Sequence, residues 1–276
     1  MLPSALLTVR RAIVVLWGAG LVFTVFSYLG RLETTRLNLF LTTLMVEIAA
    51  VVVAFVGRRR LSPGDPGRRA WTWIGVALGL RLIAELRLAT LYLGLVPAFI
   101  VDDPLLKDIY VLGLRYFYAL SDLALLPALL AIRRGLQSTG LDFHLRPRDA
   151  LVLVLLPPLP VTVHLLQSAL GAAEPDAGIH AFRLVGASIS MLVSGVCVVL
   201  ASPALQMGGG AWAWIWGAAA AAGIARGLSF AVAAASAAVA PSFPVLIVLE
   251  QALLWTFACG WLLATALHLR LVTSRR

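Results

Sequence analysis

Ionisable side chains that could hold a polar ligand lie inside the apolar stretches of this chain. They comprise four carboxylates and four guanidiniums: Glu47, Glu85, Asp122, Glu250, Arg81, Arg87, Arg115 and Arg226. A charge at the centre of a bilayer span costs about 2.5–3.5 kcal/mol on insertion scales, so each of these groups needs a partner. Equal numbers of acids and bases favour charge pairing within a helical bundle.

Three of these charges lie near the middle of the apolar stretch 70–98, around which the other segments are arranged. Arg81 and Glu85 are four residues apart and therefore share one face of a helix, whereas Arg87 points to a different face. We expect the shared face to look into the bundle. On this sequence alone, Arg81→Ala is predicted to reduce ligand uptake while leaving folding intact.

A second polar face lies in the stretch 109–132, where Arg115, Tyr118 and Asp122 are spaced to share one side of a helix. Two interpretations of these faces are open. In the first, an arginine in a polar cavity holds an anionic or polar ligand and a carboxylate completes the network. In the second, structural ion pairs fix the register of the helices, since buried pairs are often retained without adding stability.

The stretch 150–170 contains Pro157, Pro158 and Pro160. Proline removes a backbone donor and clashes with the preceding turn, so a helix here is predicted to kink or break within the membrane. Broken helices occur at the binding sites of transporters, although a static kink is also common. His164 follows one turn later and is interpreted either as a proton relay or ligand contact, or as a packing histidine.

Several chemistries have no motif in this sequence. The histidines lack the HxxxH or HExxH spacing of metal and haem sites: His144, His164, His180 and His268. The last apolar stretch has no lysine that could bind retinal, and no cofactor is predicted. No residue is predicted to be catalytic, although an intramembrane enzyme that acts on lipid through a carboxylate and His164 stays a third hypothesis.

Composition places the chain among membrane proteins. Hydrophobic residues make up 61% and charged residues 13%, with a mean hydropathy of +0.95, whereas soluble domains contain about 25% charged residues. We therefore predict an all-α integral membrane protein in contact with the lipid bilayer. The net charge of +9 is attributed to positive-inside anchoring and not to nucleic-acid binding.

Eight transmembrane helices are predicted from the apolar stretches: 1–30, 37–57, 70–98, 109–132, 150–170, 181–205, 211–239 and 245–268. The arginine-rich connections alternate with acidic ones, which predicts that both termini are cytoplasmic in a bacterial-type inner membrane. In the sixth span, Gly186, Ser190 and Ser194 form a ridge of small residues that allows another helix to approach closely.

An internal likeness indicates a parallel duplication. SPGDPGRRAWTWI at 62–74 resembles SPALQMGGGAWAWI at 202–215, which predicts a charge-rich four-helix repeat at 1–140 and an alanine-rich one at 141–276 within a single membrane domain. The alignment places Arg226 near the position of Glu85, so an ion pair across the pseudo-twofold axis is expected.

These observations predict a non-enzymatic protein that binds and transports a small polar or anionic ligand in the charged midplane of spans two to four. The alternative is a sensory or assembly subunit that acts through a membrane or cytoplasmic partner protein. A water-accessible cavity reaching Arg81 and Asp122 would favour transport. A sealed core with its charges paired would favour the partner role.

Overall fold

The computed structural model describes residues 4–29, 33–138, 147–162, 165, 177–206, 210–239 and 244–273. These residues form helices and no strands, so the all-helical prediction is confirmed for this part of the chain. The helices are α1 (Ser4–Leu29), α2 (Glu33–Arg60), α3 (Pro66–Tyr92), α4 (Ala98–Val101), α5 (Pro104–Ser138), α6 (Pro147–Leu155), α7 (Ala177–Gln206), α8 (Ala211–Val239) and α9 (Pro244–Thr273).

Within the described ranges, four helices are long and apolar enough to cross a membrane. Their apolar segments are Leu6–Ser27, Leu37–Arg60, Pro104–Ala131 and Val245–Thr273. These segments suit a lipid bilayer, as the composition predicted. The apolar part of α7 is shorter, Leu184–Val199, and α3 carries the charges discussed above. Eight spans and cytoplasmic termini therefore stay predictions.

Helix α3 begins and ends at identifiable stop signals. Asp65 caps its first turn by accepting a hydrogen bond from the Gly67 backbone N–H at 2.7 Å, and Pro66 occupies the first helical position. At the other end Gly94 adopts φ +65°, and the Leu95 N–H donates to the Thr90 carbonyl at 2.9 Å. The span predicted to reach residue 98 therefore ends at Tyr92.

The helix break predicted at the prolines is present. Helix α6 ends at Leu155, residues 156–158 form a turn, and helical backbone resumes at 159–162. The Leu159 N–H closes this turn on the Leu156 carbonyl at 3.2 Å, which compensates in part for the donors that proline lacks. His164 lies outside the described residues.

Helix α9 is the central packing element, since it contacts α1, α2 and α8. Helix α3 packs on both α2 and α5, and helix α7 lies between α5 and α8 and contacts both.

Glycines bring several of these helix pairs close together. A Cβ at Gly75 would lie 3.1 Å from the Phe55 ring, and one at Gly260 would lie 2.8 Å from the Ala222 Cβ. Membrane helices associate through such small-residue contacts. Of the predicted ridge, Gly186 and Ser194 are buried, and the Ser190 side chain is outside the described set.

The two halves of the proposed duplication agree in burial at two of the five positions where AWTWI matches AWAWI. Trp73 and Trp214 are 42% and 41% exposed, whereas Ile74 and Ile215 are each 1% exposed. The exposed indoles near the starts of α3 and α8 suit the interfacial belt. At the preceding pairs the burial differs, since Trp71 is buried and Trp212 is half-buried, and the duplication stays a prediction.

Gly20→Ala is expected to destabilise the α1–α9 contact by about 1–3 kcal/mol, the usual cost of overpacking. A Cβ at Gly20 would overlap the indole of Trp255, and that ring is held in place because its Nε1–H donates to the Trp17 carbonyl at 2.9 Å. The measurement is the thermal unfolding midpoint in detergent. Gly18→Ala is the matched control on the same helix, since a Cβ there meets nothing within 4 Å; equal effects of the two variants would refute the contact.

Candidate functional site

Arg81 lies at the centre of a buried ionic arrangement. Its Nε donates to Glu47 Oε1 and its Nη2 donates to Glu85 Oε1, each at 3.1 Å. Glu85 is one turn further along α3, whereas Glu47 comes from α2, so the guanidinium joins two helices. Arg81 is 2% exposed. Charge-assisted bonds of this kind are among the strongest in proteins when both partners are buried.

Aromatic rings cover the remaining surface of the guanidinium. The Cζ of Arg81 lies 3.9 Å from the ring centroid of Phe257 on α9 and 5.3 Å from that of Tyr118 on α5. Arg226 of α8 approaches the same Tyr118 ring at 4.8 Å. Two cations therefore share one aromatic ring, which attracts each of them through its π face.

Asp122 and Arg226 complete the arrangement. Both are buried, at 6% and 7% exposure, and they lie within electrostatic range of each other, with Glu85 also in range of Arg226. Asp122 lies beside α7 at Gly186, where a Cβ would be 3.7 Å from Asp122 Oδ2, an ordinary van der Waals contact. We call the following set the charged cluster: Glu47, Arg81, Glu85, Tyr118, Asp122 and Arg226.

A small cavity adjoins the charged cluster between α2, α3 and α9. It offers about 10 Å³ of space for the centre of a water-sized sphere and is lined by Glu47, Ala50, Leu78, Arg81, Phe257, Ala258 and Trp261. That volume accommodates about one water molecule. A larger ligand would fit beside Arg81 only after the helices or the Phe257 side chain moved.

Arg87 lies on a different face of α3, as its spacing predicted. Its Cζ is 4.4 Å from the ring centroid of Tyr110 and 5.9 Å from that of Phe117 on α5. Its Nη2 donates to the Tyr110 carbonyl at 3.5 Å, and the Tyr110 hydroxyl donates to the Arg87 carbonyl at 3.0 Å. Two aromatic rings and one backbone carbonyl contact this cation, so it belongs to a separate α3–α5 contact.

The remaining predicted site residues are not part of the charged cluster as described. Glu250 is partly buried on α9 and lies about 10 Å along the helix axis from Phe257, the length of about two turns. The side chain of Arg115 on α5 and the whole of His164 lie outside the described residues. The lipid-enzyme hypothesis, which rests on His164, therefore stays untested.

Phe257 and Trp261 line the site, although the sequence pattern did not single them out. Both are in the middle of α9, away from the membrane interfaces where aromatic residues usually concentrate. A tryptophan in the middle of a span also brings an indole N–H that needs a partner. That position is a signal for Trp261, whereas a phenylalanine within an apolar helix is ordinary and Phe257 carries no such signal.

Comparison with protein-family models, with curated proteins and with solved structures gives no match for this chain.

Proposed function

We propose that the chain is a polytopic membrane protein that binds and transports a small polar or anionic ligand at the charged cluster. The observation that carries this proposal is the burial of two guanidiniums, Arg81 and Arg226, whose Cζ atoms lie 5.3 and 4.8 Å from the Tyr118 ring centroid. A guanidinium presents several N–H donors in a planar fork that matches carboxylate and phosphate oxygens. Intramembrane charges of this kind commonly mark a pathway for ions or substrates.

The other helix contacts argue against a purely structural role for these charges. The α1–α9 and α8–α9 contacts include close approaches of Gly20 to Trp255 and of Gly260 to Ala222. A buried ion pair is often no more stabilising than apolar side chains of the same volume. Because the bundle packs elsewhere without charges, the charged cluster adds a property that packing does not require.

A core with so little free space is the arrangement expected for the partner role, and in the transport proposal it represents a closed state. The cavity next to Arg81 accepts about one water molecule, and the Phe257 ring lies directly on the guanidinium. Displacement of Phe257 by movement of α9 would uncover Arg81 for a ligand. Closed and open forms that alternate around a central site are the usual basis of secondary transport.

Uptake by reconstituted vesicles tests the proposal. Swelling is followed by light scattering in iso-osmotic chloride, nitrate, formate, acetate or phosphate salts, and in erythritol as a neutral polar solute. Wild-type protein is expected to accelerate swelling in at least one solute. Arg81→Lys should slow that uptake about tenfold, the factor that corresponds to 1.4 kcal/mol of lost interaction, because lysine lacks the fork.

Arg59→Lys is the matched control, because Arg59 is an exposed arginine at the end of α2; it should keep the wild-type rate. Transport would be contradicted if vesicles with the wild-type protein swelled no faster than protein-free vesicles in every solute. Thermal unfolding of the same preparation shows that the protein is folded.

A second function is favoured by the double pairing of Arg81 with Glu47 and Glu85, which leaves little of this guanidinium for a ligand. The chain would then be a non-catalytic sensory or assembly subunit that acts through a partner protein. Purification from its native membrane distinguishes the two functions. A stoichiometric protein partner would favour the subunit role, and a bound small molecule would favour the ligand site.

A further inference from the structure

Glu47 uses only one of its two carboxylate oxygens for the ion pair. Oε1 accepts from Arg81 at 3.1 Å, whereas Oε2 is buried and has no hydrogen-bond partner among the described residues. The residue is 6% exposed. A buried polar atom of this kind usually indicates a bound water, an ion or a functional group in a native protein.

Trp261 presents the complementary feature on the other side of the same cavity. Its Nε1–H is buried and has no partner among the described residues, and the residue is 3% exposed. Glu47 and Trp261 both line the one-water cavity. A water there could accept from the indole N–H and donate to Glu47 Oε2, so that both polar atoms would be satisfied.

The charges around Glu47 are unequal in the described part of the chain. Arg81 and Glu85 face it from α3, Arg226 lies on α8, and Tyr118 lies on α5. Asp122 adds a third carboxylate to the two guanidiniums of the charged cluster. The residues that α9 contributes to the cavity carry no titratable group: Phe257, Ala258 and Trp261. An excess negative charge in a medium of low dielectric constant is costly, and protonation of one carboxylate relieves it.

Of the two carboxylates that bond to Arg81, Glu47 is better placed to take that proton. The side chain of Glu85 is 13% exposed, against 7% for Glu47, so Glu85 can be solvated in part. Glu47 keeps its bond to Arg81 through Oε1 whether or not Oε2 carries a proton. The geometry of the hydrogen bond from Arg81 to Oε1 therefore need not change when the proton binds.

We propose that Glu47 is a proton-binding site, with Oε2 as the acceptor and a water held by the Trp261 indole N–H as the immediate donor. A hydronium in the cavity transfers its proton to Oε2, which leaves a neutral carboxyl group and one water molecule. The reverse transfer returns the proton to the water. This inference goes beyond ligand transport, because the site requires only Glu47, Trp261 and the cavity.

Infrared difference spectroscopy of the full-length protein in lipid nanodiscs tests this inference. Acidification of the wild type is expected to produce a carboxylic-acid C=O band from a buried site. The band should be absent from Glu47→Gln and retained in Asp102→Asn, a control that removes an exposed carboxylate outside the charged cluster. A band of wild-type intensity in folded Glu47→Gln would overturn the proposal.

Trp261→Phe tests the water independently of Glu47 and also serves if Glu47→Gln fails to fold. Loss of the indole N–H should shift the frequency of the C=O band while its intensity stays, because the water that contacts Oε2 loses one partner. An unchanged frequency in Trp261→Phe, or no acid band in the wild type at any pH at which it stays folded, would overturn the proposal.

Discussion

Arg81→Ala should lower the free energy of unfolding by about 3–5 kcal/mol, the cost of removing one partner from a buried ion pair. Without the guanidinium, the carboxylates of Glu47 and Glu85 would remain close together in the bundle with their shared donor missing. The phenyl ring of Phe257 would also lose the cation that it covers. Denaturant titration in mixed micelles, read by circular dichroism, measures the change.

Arg59→Ala is the control for loss of an arginine, because this residue is exposed and should change stability by less than about 0.5 kcal/mol. If Arg81→Ala lowered the free energy of unfolding by less than about 1 kcal/mol, the ion pairs would not hold α2 to α3.

Because the structure predicts a large loss of stability in Arg81→Ala, it revises the expectation from sequence that this variant folds normally. Its uptake is interpretable only with a stability measurement beside it.

The triple variant Glu47→Leu, Arg81→Met, Glu85→Leu should recover stability to within about 1 kcal/mol of the wild type or exceed it. Replacement of a whole buried ionic group by apolar side chains of similar volume is often neutral or stabilising, whereas removal of one member is not. Uptake in the vesicle assay should fall to the level of protein-free vesicles, because only one of the two guanidiniums, Arg226, would remain to hold the ligand.

The two readouts of this variant separate structural from functional roles of the charges. Stability and uptake both at the wild-type level would show that the charges are dispensable, which contradicts the ligand site. Stability as low as that of Arg81→Ala would show that the network with Tyr118 and Arg226 is itself required for folding. The combination of a stable fold and lost uptake is the result that the proposed function predicts.

The helical class and most helix positions follow from the sequence because apolar runs and their stop signals are local. The stretch predicted at 211–239 matches α8, Ala211–Val239. The end of α3 was placed too far along, since the apolar run continues past Gly94 although the backbone turns there. A left-handed glycine ends a helix without any change in hydropathy.

The contacts within one helix were also predictable, whereas those between helices were not. The four-residue spacing alone indicates that Arg81 and Glu85 share a face. Neither the approach of Glu47 from α2 nor the cover provided by Phe257 from α9 follows from any local pattern. Such contacts depend on how the helices pack, and packing is set by shape complementarity over the whole bundle.

Charge counting overestimated the regularity of the pairing. Equal numbers of acids and bases suggested matched ion pairs, but Arg81 has two carboxylate partners and Arg87 contacts aromatic rings and a carbonyl. A guanidinium accepts several kinds of partner, including π faces. The number of charges therefore indicates that partners exist without indicating which residues they are.

The most direct test of the buried ionic core is the coupling free energy between Glu47 and Arg81. It is measured by a double-mutant cycle with Glu47→Gln, Arg81→Met and the double variant. The account predicts a coupling well above about 1 kcal/mol, the upper end for exposed ion pairs. The reference is the pair Arg148–Asp149, in which the Arg148 side chain is 57% exposed and its Nε lies 3.8 Å from Asp149 Oδ1. The coupling free energy of this pair should fall below about 1 kcal/mol. Coupling between Glu47 and Arg81 no larger than that of the reference pair would contradict the account.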